Sequence, residues 1–167
     1  LLIPLATGLV VMAGFAGVAY GSLNMITAFI GAILLGLGID HGLHLVGRYR
    51  ALRAEGDPAA QAIERAFSHT GRAVLVAAVT TTVGFAGLAV SEFKAFREFG
   101  AIAAAGMLAV VAADALLLPA LLGLAERMGW RPGAIRVQRV GEIPRAMPRL
   151  AWPILLVTAL AVPFLVV

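Results

Sequence analysis

The sequence predicts an all-α membrane protein, an antiparallel transmembrane helix bundle of about five spans. Three observations carry this. Of 167 residues, 61% are hydrophobic and 13% charged, where a soluble domain has about 25% charged residues. The apolar residues come in stretches of eighteen or more, long enough to cross a hydrocarbon core of about 30 Å as a helix. The Lys and Arg residues, by contrast, gather almost entirely in two polar segments between those stretches. A mean hydropathy of +0.96 leaves no room for a large soluble domain. There is no cysteine, hence no disulfide framework and no thiolate metal site.

The first span is Leu1 to Gly21, which carries no charge. Tyr20 suits a membrane interface, and the short turn after it makes the first two spans antiparallel neighbours. The second span, Leu23 to Gly47, ends at Arg48-Tyr49-Arg50. In the polar segment that follows, Asp57 and Pro58 read as N-cap and first residue of a helix. With Ile63, Ala66 and Phe67 on one face, it is an amphipathic helix at about 57–70 lying on the membrane surface. The third span is Ala73 to Val90, and Ser91 to Glu98 is a charged loop. The fourth, Phe99 to Ala125, holds Asp114 and Pro119, whose ring removes a backbone bond and kinks the helix. Residues 1–125 thus form a four-span bundle. Residues 126–149 are a polar linker, and 150–167 start a fifth span anchored by Trp152. The last residues stop inside an apolar run, so the chain reads as a fragment of a longer protein.

Orientation follows from charge. Eleven of the thirteen Lys and Arg residues lie in the two long polar segments, leaving Lys94 and Arg97 on the other side. Positive residues mark the cytoplasmic face, so the long segments are cytoplasmic and the setting is a bacterial inner membrane. The same distribution explains the net charge of +4. Without aromatic interleaving or a recognised module, it gives no case for nucleic-acid binding.

The chemistry concentrates in Gly36-Leu37-Gly38-Ile39-Asp40-His41-Gly42-Leu43-His44. Asp40, His41 and His44 are the only ionisable side chains from Leu23 to Gly47. A carboxylate inside a membrane helix costs roughly 2.5–3.5 kcal/mol, and one kept at that cost marks a functional site by default. Asp40 is therefore the expected proton-accepting group. His44 lies one turn away and His41 beside it, and histidine changes charge in the physiological range. Asp40 precedes Arg48 by eight residues, and Thr80 follows Arg72 by eight, so both lie ~12 Å deep at 1.5 Å per residue. The hydroxyls of Thr80, Thr81 and Thr82 are then expected to meet Asp40. Small residues let membrane helices approach closely, and Gly36, Gly38, Gly42, Gly84 and Gly87 are the expected packing positions around the relay. Asp114 joins it as a further acid. Asp40, His41 and His44 could also ligate a metal, but no fourth ligand is evident, so the expected coupling ion is the proton, with no metal or cofactor.

These residues resemble the RND transporter superfamily, and within it the MMPL and sterol-sensing-domain-like branch. Gly36-Leu37-Gly38-Ile39-Asp40-His41 looks like the family's Gly-x-Gly-x-Asp-aromatic motif, with His41 where many members have tyrosine. Thr80-Thr81, Gly84-Phe85, Leu88 and Ser91 look like its next span. Phe96, Phe99-Gly100 and Leu118-Pro119-Ala120-Leu121-Leu122 look like the one after. The resemblance implies that the five spans are the third to seventh of a twelve-span protein. It also implies proton-driven export of lipids or other hydrophobic molecules, with Asp40 as the proton site. The partners it implies are membrane lipids, the second half of the same chain and, where the protein self-associates, further copies in a homo-oligomer. A non-transporting sterol-sensing or scaffold domain is the alternative. An intramembrane aspartyl protease using Asp40 and Asp114 is disfavoured, because Ile39 and Ala113 interrupt the motifs such enzymes carry.

Overall fold

The computed structural model describes residues 1–21 and 25–130, with side chains from residue 29 onward in the second segment. The polar linker after Trp130 and the fifth span lie outside the described residues. In order come α1 (Leu2–Tyr20), α2 (Met25–Ala54), α3 (Ala59–Arg65), a π-helical turn (Ala66–Thr70), α4 (Gly71–Leu88) and α5 (Lys94–Arg127). The fold is an all-α membrane helix bundle. A chain in hydrocarbon must satisfy every backbone polar group internally, and a helix does so within one segment.

α1 is apolar all round and stops at Gly21, whose left-handed φ of 73° lets its N–H bond the Gly17 carbonyl at 3.0 Å. Glycine adopts that conformation without strain. α2 continues seven residues beyond Gly47, carrying Arg48, Arg50 and Arg53 on helix rather than loop. α3 begins one residue later than expected. Pro58 is the N-cap, its carbonyl accepting from Ala62 N at 2.9 Å. The Asp57 carboxylate instead pairs with Arg65 at 2.5 Å. The amphipathic segment does not stand apart from the third span. It passes through the π turn straight into α4, and buries Ala62 and Ala66 with Tyr49 and Leu52 of α2 and Leu118 and Leu122 of α5. The expected charged loop is also shorter. α5 starts at Lys94, and Lys94 and Glu98 form a one-turn ion pair at 3.7 Å. Pro119 sits inside α5, which runs on to Arg127.

α5 is the centre of the bundle. It packs against α1, α2 and α4, whereas α1 touches α2 far less and α2 hardly touches α4. Two apolar layers stack along it. One joins Met12, Ile30, Leu34, Ala78, Ile102 and Met107. The other joins Leu45, Tyr49, Leu52, Val74, Leu118 and Leu122. Outward-facing side chains such as Val10, Val18, Val76, Val83 and Leu116 are large and apolar, as a lipid-facing surface requires.

Two backbones approach closely at Gly100. A Cβ there would lie 2.5 Å from the Phe85 carbonyl oxygen and 2.6 Å from Ala89 N. Those are backbone atoms of α4 and its C-cap, which cannot swing aside as a side chain can. Gly100→Ala is expected to destabilise the bundle by about 1–3 kcal/mol, the usual cost of overpacking. Gly84→Ala, where a Cβ meets nothing within 4 Å, is expected to melt like the parent in detergent. Equal midpoints for the two variants would contradict this packing.

Candidate functional site

α2 has two working faces. Leu34, Gly38, His41, Gly42, Leu45, Tyr49 and Leu52, spaced three or four apart, are buried. The other face carries Asp40 and His44, both exposed. With Leu37 and His41 they line a cavity of about 430 Å³ whose far wall is Thr70, Ala73, Val74, Ala77 and Thr81. The structure therefore brings Asp40, His41, His44 and Thr81 to one cavity between α2 and α4.

The details differ from expectation in three ways. Thr81 donates its hydroxyl to the Ala77 carbonyl at 3.0 Å, and Thr80 donates to Val76 at 2.9 Å. Both hydroxyls are thus given to their own helix instead of Asp40, as Thr in a helix readily does. Thr80 is exposed and does not line the cavity, while the Thr82 hydroxyl is buried without a hydrogen-bond partner among the described residues. Second, the glycines that allow close packing face the other way. A Cβ on Gly38 would meet Leu5 at 2.5 Å and Val110 at 2.8 Å, and one on Gly42 would meet Leu1 at 2.6 Å. Gly36, Gly84 and Gly87 border open space. The close helix contact is thus with α1 and α5, and a cavity separates α2 from α4.

Third, Asp114 is not in the Asp40 cavity. It is 2% exposed, and its Oδ1 lies 3.8 Å from where a Gly42 Cβ would be. It lines a second cavity, of about 210 Å³, with Leu45, Phe67, Arg72 and Val74 among others. Val74 belongs to the walls of both cavities. The two carboxylates line different cavities, whereas a two-aspartate protease needs both at one site. Among the described residues, His41 and Asp114 are the buried polar side chains, and His41 Nδ1 and Asp114 Oδ2 have no hydrogen-bond partner there.

A polar cluster went unread in the sequence. Glu126, assigned there to the linker, is in the last turn of α5. It accepts from the Tyr49 hydroxyl at 2.5 Å, from Arg53 Nε at 2.7 Å and from a second Arg53 nitrogen at 3.0 Å. A guanidinium also donates to the Asp57 carbonyl at 2.8 Å. This two-pronged pair clamps the ends of α2 and α5. Its signal was Tyr49 and Arg53 four residues apart on one helix face, which the charge count treated only as topology.

Residues 2–166 match the model of the MMPL family. The chain belongs to the MMPL family. It is 38% identical over 126 residues to MJ1562 of Methanocaldococcus jannaschii, described as a membrane protein. It is 29% identical over 128 residues to the sulfolipid-1 exporter MmpL8 of Mycobacterium tuberculosis, and 32% identical over 108 residues to the hopanoid transporter HpnN of Rhodopseudomonas palustris. These matches cover 75%, 77% and 65% of this chain. The chain spans only 32% of the first relative and 12% of each of the others. No solved structure matches it. Among the described residues four helices are long and apolar enough to cross a membrane, and with this family assignment the protein is a multi-pass membrane protein.

The Glu126 clamp is testable by a double-mutant cycle. Tyr49→Phe removes a hydrogen bond to a charged acceptor and is expected to cost about 1.5–3 kcal/mol of stability. Combined with Glu126→Gln, the loss should fall short of the sum of the single losses by roughly 0.5–3 kcal/mol. Additive losses in detergent unfolding would show that the contact is not made.

Proposed function

We propose that this chain is part of an RND/MMPL-type transporter that uses the proton-motive force to export lipids or other hydrophobic molecules. Asp40 is the group that takes up and releases the proton. The observation that carries the reading is the cavity shared by Asp40, His41, His44 and Thr81. It sets an acid, two imidazoles and a hydroxyl oxygen together along a membrane helix otherwise free of ionisable groups from Leu23 to Gly47.

The chemistry follows from that setting. An acid on a membrane span is held at a cost of roughly 2.5–3.5 kcal/mol, and changing its protonation changes which helix packing is favoured. His44, one turn along, passes protons between Asp40 and the Arg-rich end, with His41 as its buried neighbour. Thr81, whose proton is given to Ala77, retains acceptor capacity on its hydroxyl oxygen. One charge crossing 100 mV supplies ~2.3 kcal/mol, enough to bias two packings that differ by a few kcal/mol. The proton is the coupling ion and no further cofactor is required. The excess of Arg on one side supports a cytoplasmic location for that side, in a bacterial inner membrane. Relatives named for a sulfolipid and a hopanoid support a lipid as cargo. The remaining spans of the longer protein complete the path.

Asp40→Asn in the whole protein is expected to abolish gradient-driven delivery of its lipid while leaving its abundance in the membrane unchanged. Normal delivery at normal abundance would remove Asp40 from the mechanism. His44→Ala is expected to move the pH profile of transport without abolishing it, and an identical profile would remove His44. Lipid binding indifferent to any proton gradient would favour the sterol-sensing or scaffold alternative.

A further inference from the structure

The second cavity is not needed by that reading. It lies against α5, and its innermost polar group is Asp114, buried and with one carboxylate oxygen lacking any hydrogen-bond partner among the described residues. Leu45, Val74 and Val111, all buried, make up its inner wall, with Phe67 beside them. Arg72, Leu75 and Ala115, all exposed, form its rim.

A buried carboxyl with an unused oxygen is expensive unless something satisfies it. Leaving a buried acceptor unpaired forfeits its hydration with nothing in return. No described residue bonds Asp114 Oδ2, and on the α2 side Gly42, whose Cβ position lies 3.8 Å from Oδ1, brings no side chain to it. The cavity adjoins Asp114 directly. A water needs only about 10–15 Å³ of such volume and two to four polar partners, and the cavity holds about 210 Å³. Asp114 supplies acceptors at the inner end, and Arg72 supplies donors at the rim.

We propose that this cavity is a water-binding site that hydrates Asp114 from the Arg72 side, and so maintains a second ionisable acid in the bundle apart from Asp40. The site stands whether or not Asp40 couples transport to protons. The π turn contributes to both cavities, with Phe67 at this one and Thr70 at the other. Turns of this kind often mark functional positions in helices.

The comparison of Leu45 with Leu34 tests it. Both are almost fully buried, at 2% and 0% exposure, and they share the same intrinsic reactivity, but only Leu45 lines the cavity. The whole protein in lipid vesicles is exposed to hydroxyl radicals made by radiolysis of water, and oxidation is read residue by residue by mass spectrometry. Leu45 is expected to oxidise severalfold faster than Leu34. Ala115→Leu, which fills the rim, and Asp114→Leu, which removes the anchor, are each expected to bring Leu45 down to the rate of Leu34. Protection of Leu34 in each variant reports an intact bundle. If Asp114→Leu exposes Leu34, Ala115→Leu decides alone. Leu45 as protected as Leu34 in the parent protein would mean an apolar occupant, such as an acyl chain or another span, and would overturn the proposal. So would oxidation of Leu45 that neither filling the rim nor removing the acid reduces.

Discussion

The bundle depends on how closely α5 can be approached by its neighbours. In lipid there is no hydrophobic gain in bringing two apolar helices together, because the acyl chains are as apolar as leucine. Association rests on close packing and on polar contacts. α5 meets that demand with Gly100 against the α4 backbone, and with Gly106 against Leu34 and Met12. Gly8 of α1 and Gly38 of α2 return the favour, each with a Cβ position within 3 Å of Val110. Half of the apolar window of α5 is buried, against 28%, 33% and 11% for the other spans. At its far end Glu126 adds a polar tie to α2 through Tyr49 and Arg53.

This arrangement determines where chemistry can sit. Because α1, α2 and α4 each pack on α5, α2 and α4 diverge and leave the groove in which Asp40, His44 and Thr81 are found. The two apolar layers bracket a polar level. On α2, His41 lies between Leu34 of one layer and Leu45 of the other. On α5, Asp114 lies between Val111 and Leu118. Buried ionisable groups at that level are costly in an apolar bundle.

Much of this was legible in the residues themselves. The spans were readable because a membrane demands long apolar segments, and Asp40 with His41 and His44 stood out against that background. What could not be read was which helix each stripe meets. Both faces of α2 carry small residues, and spacing alone could not tell that Gly38 and Gly42 pack while Gly36 does not. The glycines of α4 misled for the same reason, since a small residue permits a close approach without requiring one. Thr80 and Thr81 looked like donors to Asp40, yet a carbonyl one turn back on the same helix was always nearer. Glu126 was hidden by its position at the edge of an apolar run, where a charge reads equally well as the last turn of a helix or the first residue of a linker. The π turn has no periodic signature at all. It emerged only because Ala62 and Ala66 pack on α2 and α5, which keeps the amphipathic segment in line with α4.

The two acids are connected by α4 rather than by each other. α4 is held at one end where Phe85, Leu88 and Ala89 press on Gly100, and at the other where Ala66 is buried beside Tyr49. Between these points only Val74 and Ala78 of α4 are buried. Val74 is also a wall of both cavities. The same side chain therefore bounds the surroundings of both acids, and the π turn lies at the base of the helix that carries it. α5, packed against α1, α2 and α4, is the frame that holds α4, and with it the wall shared by both cavities, in place.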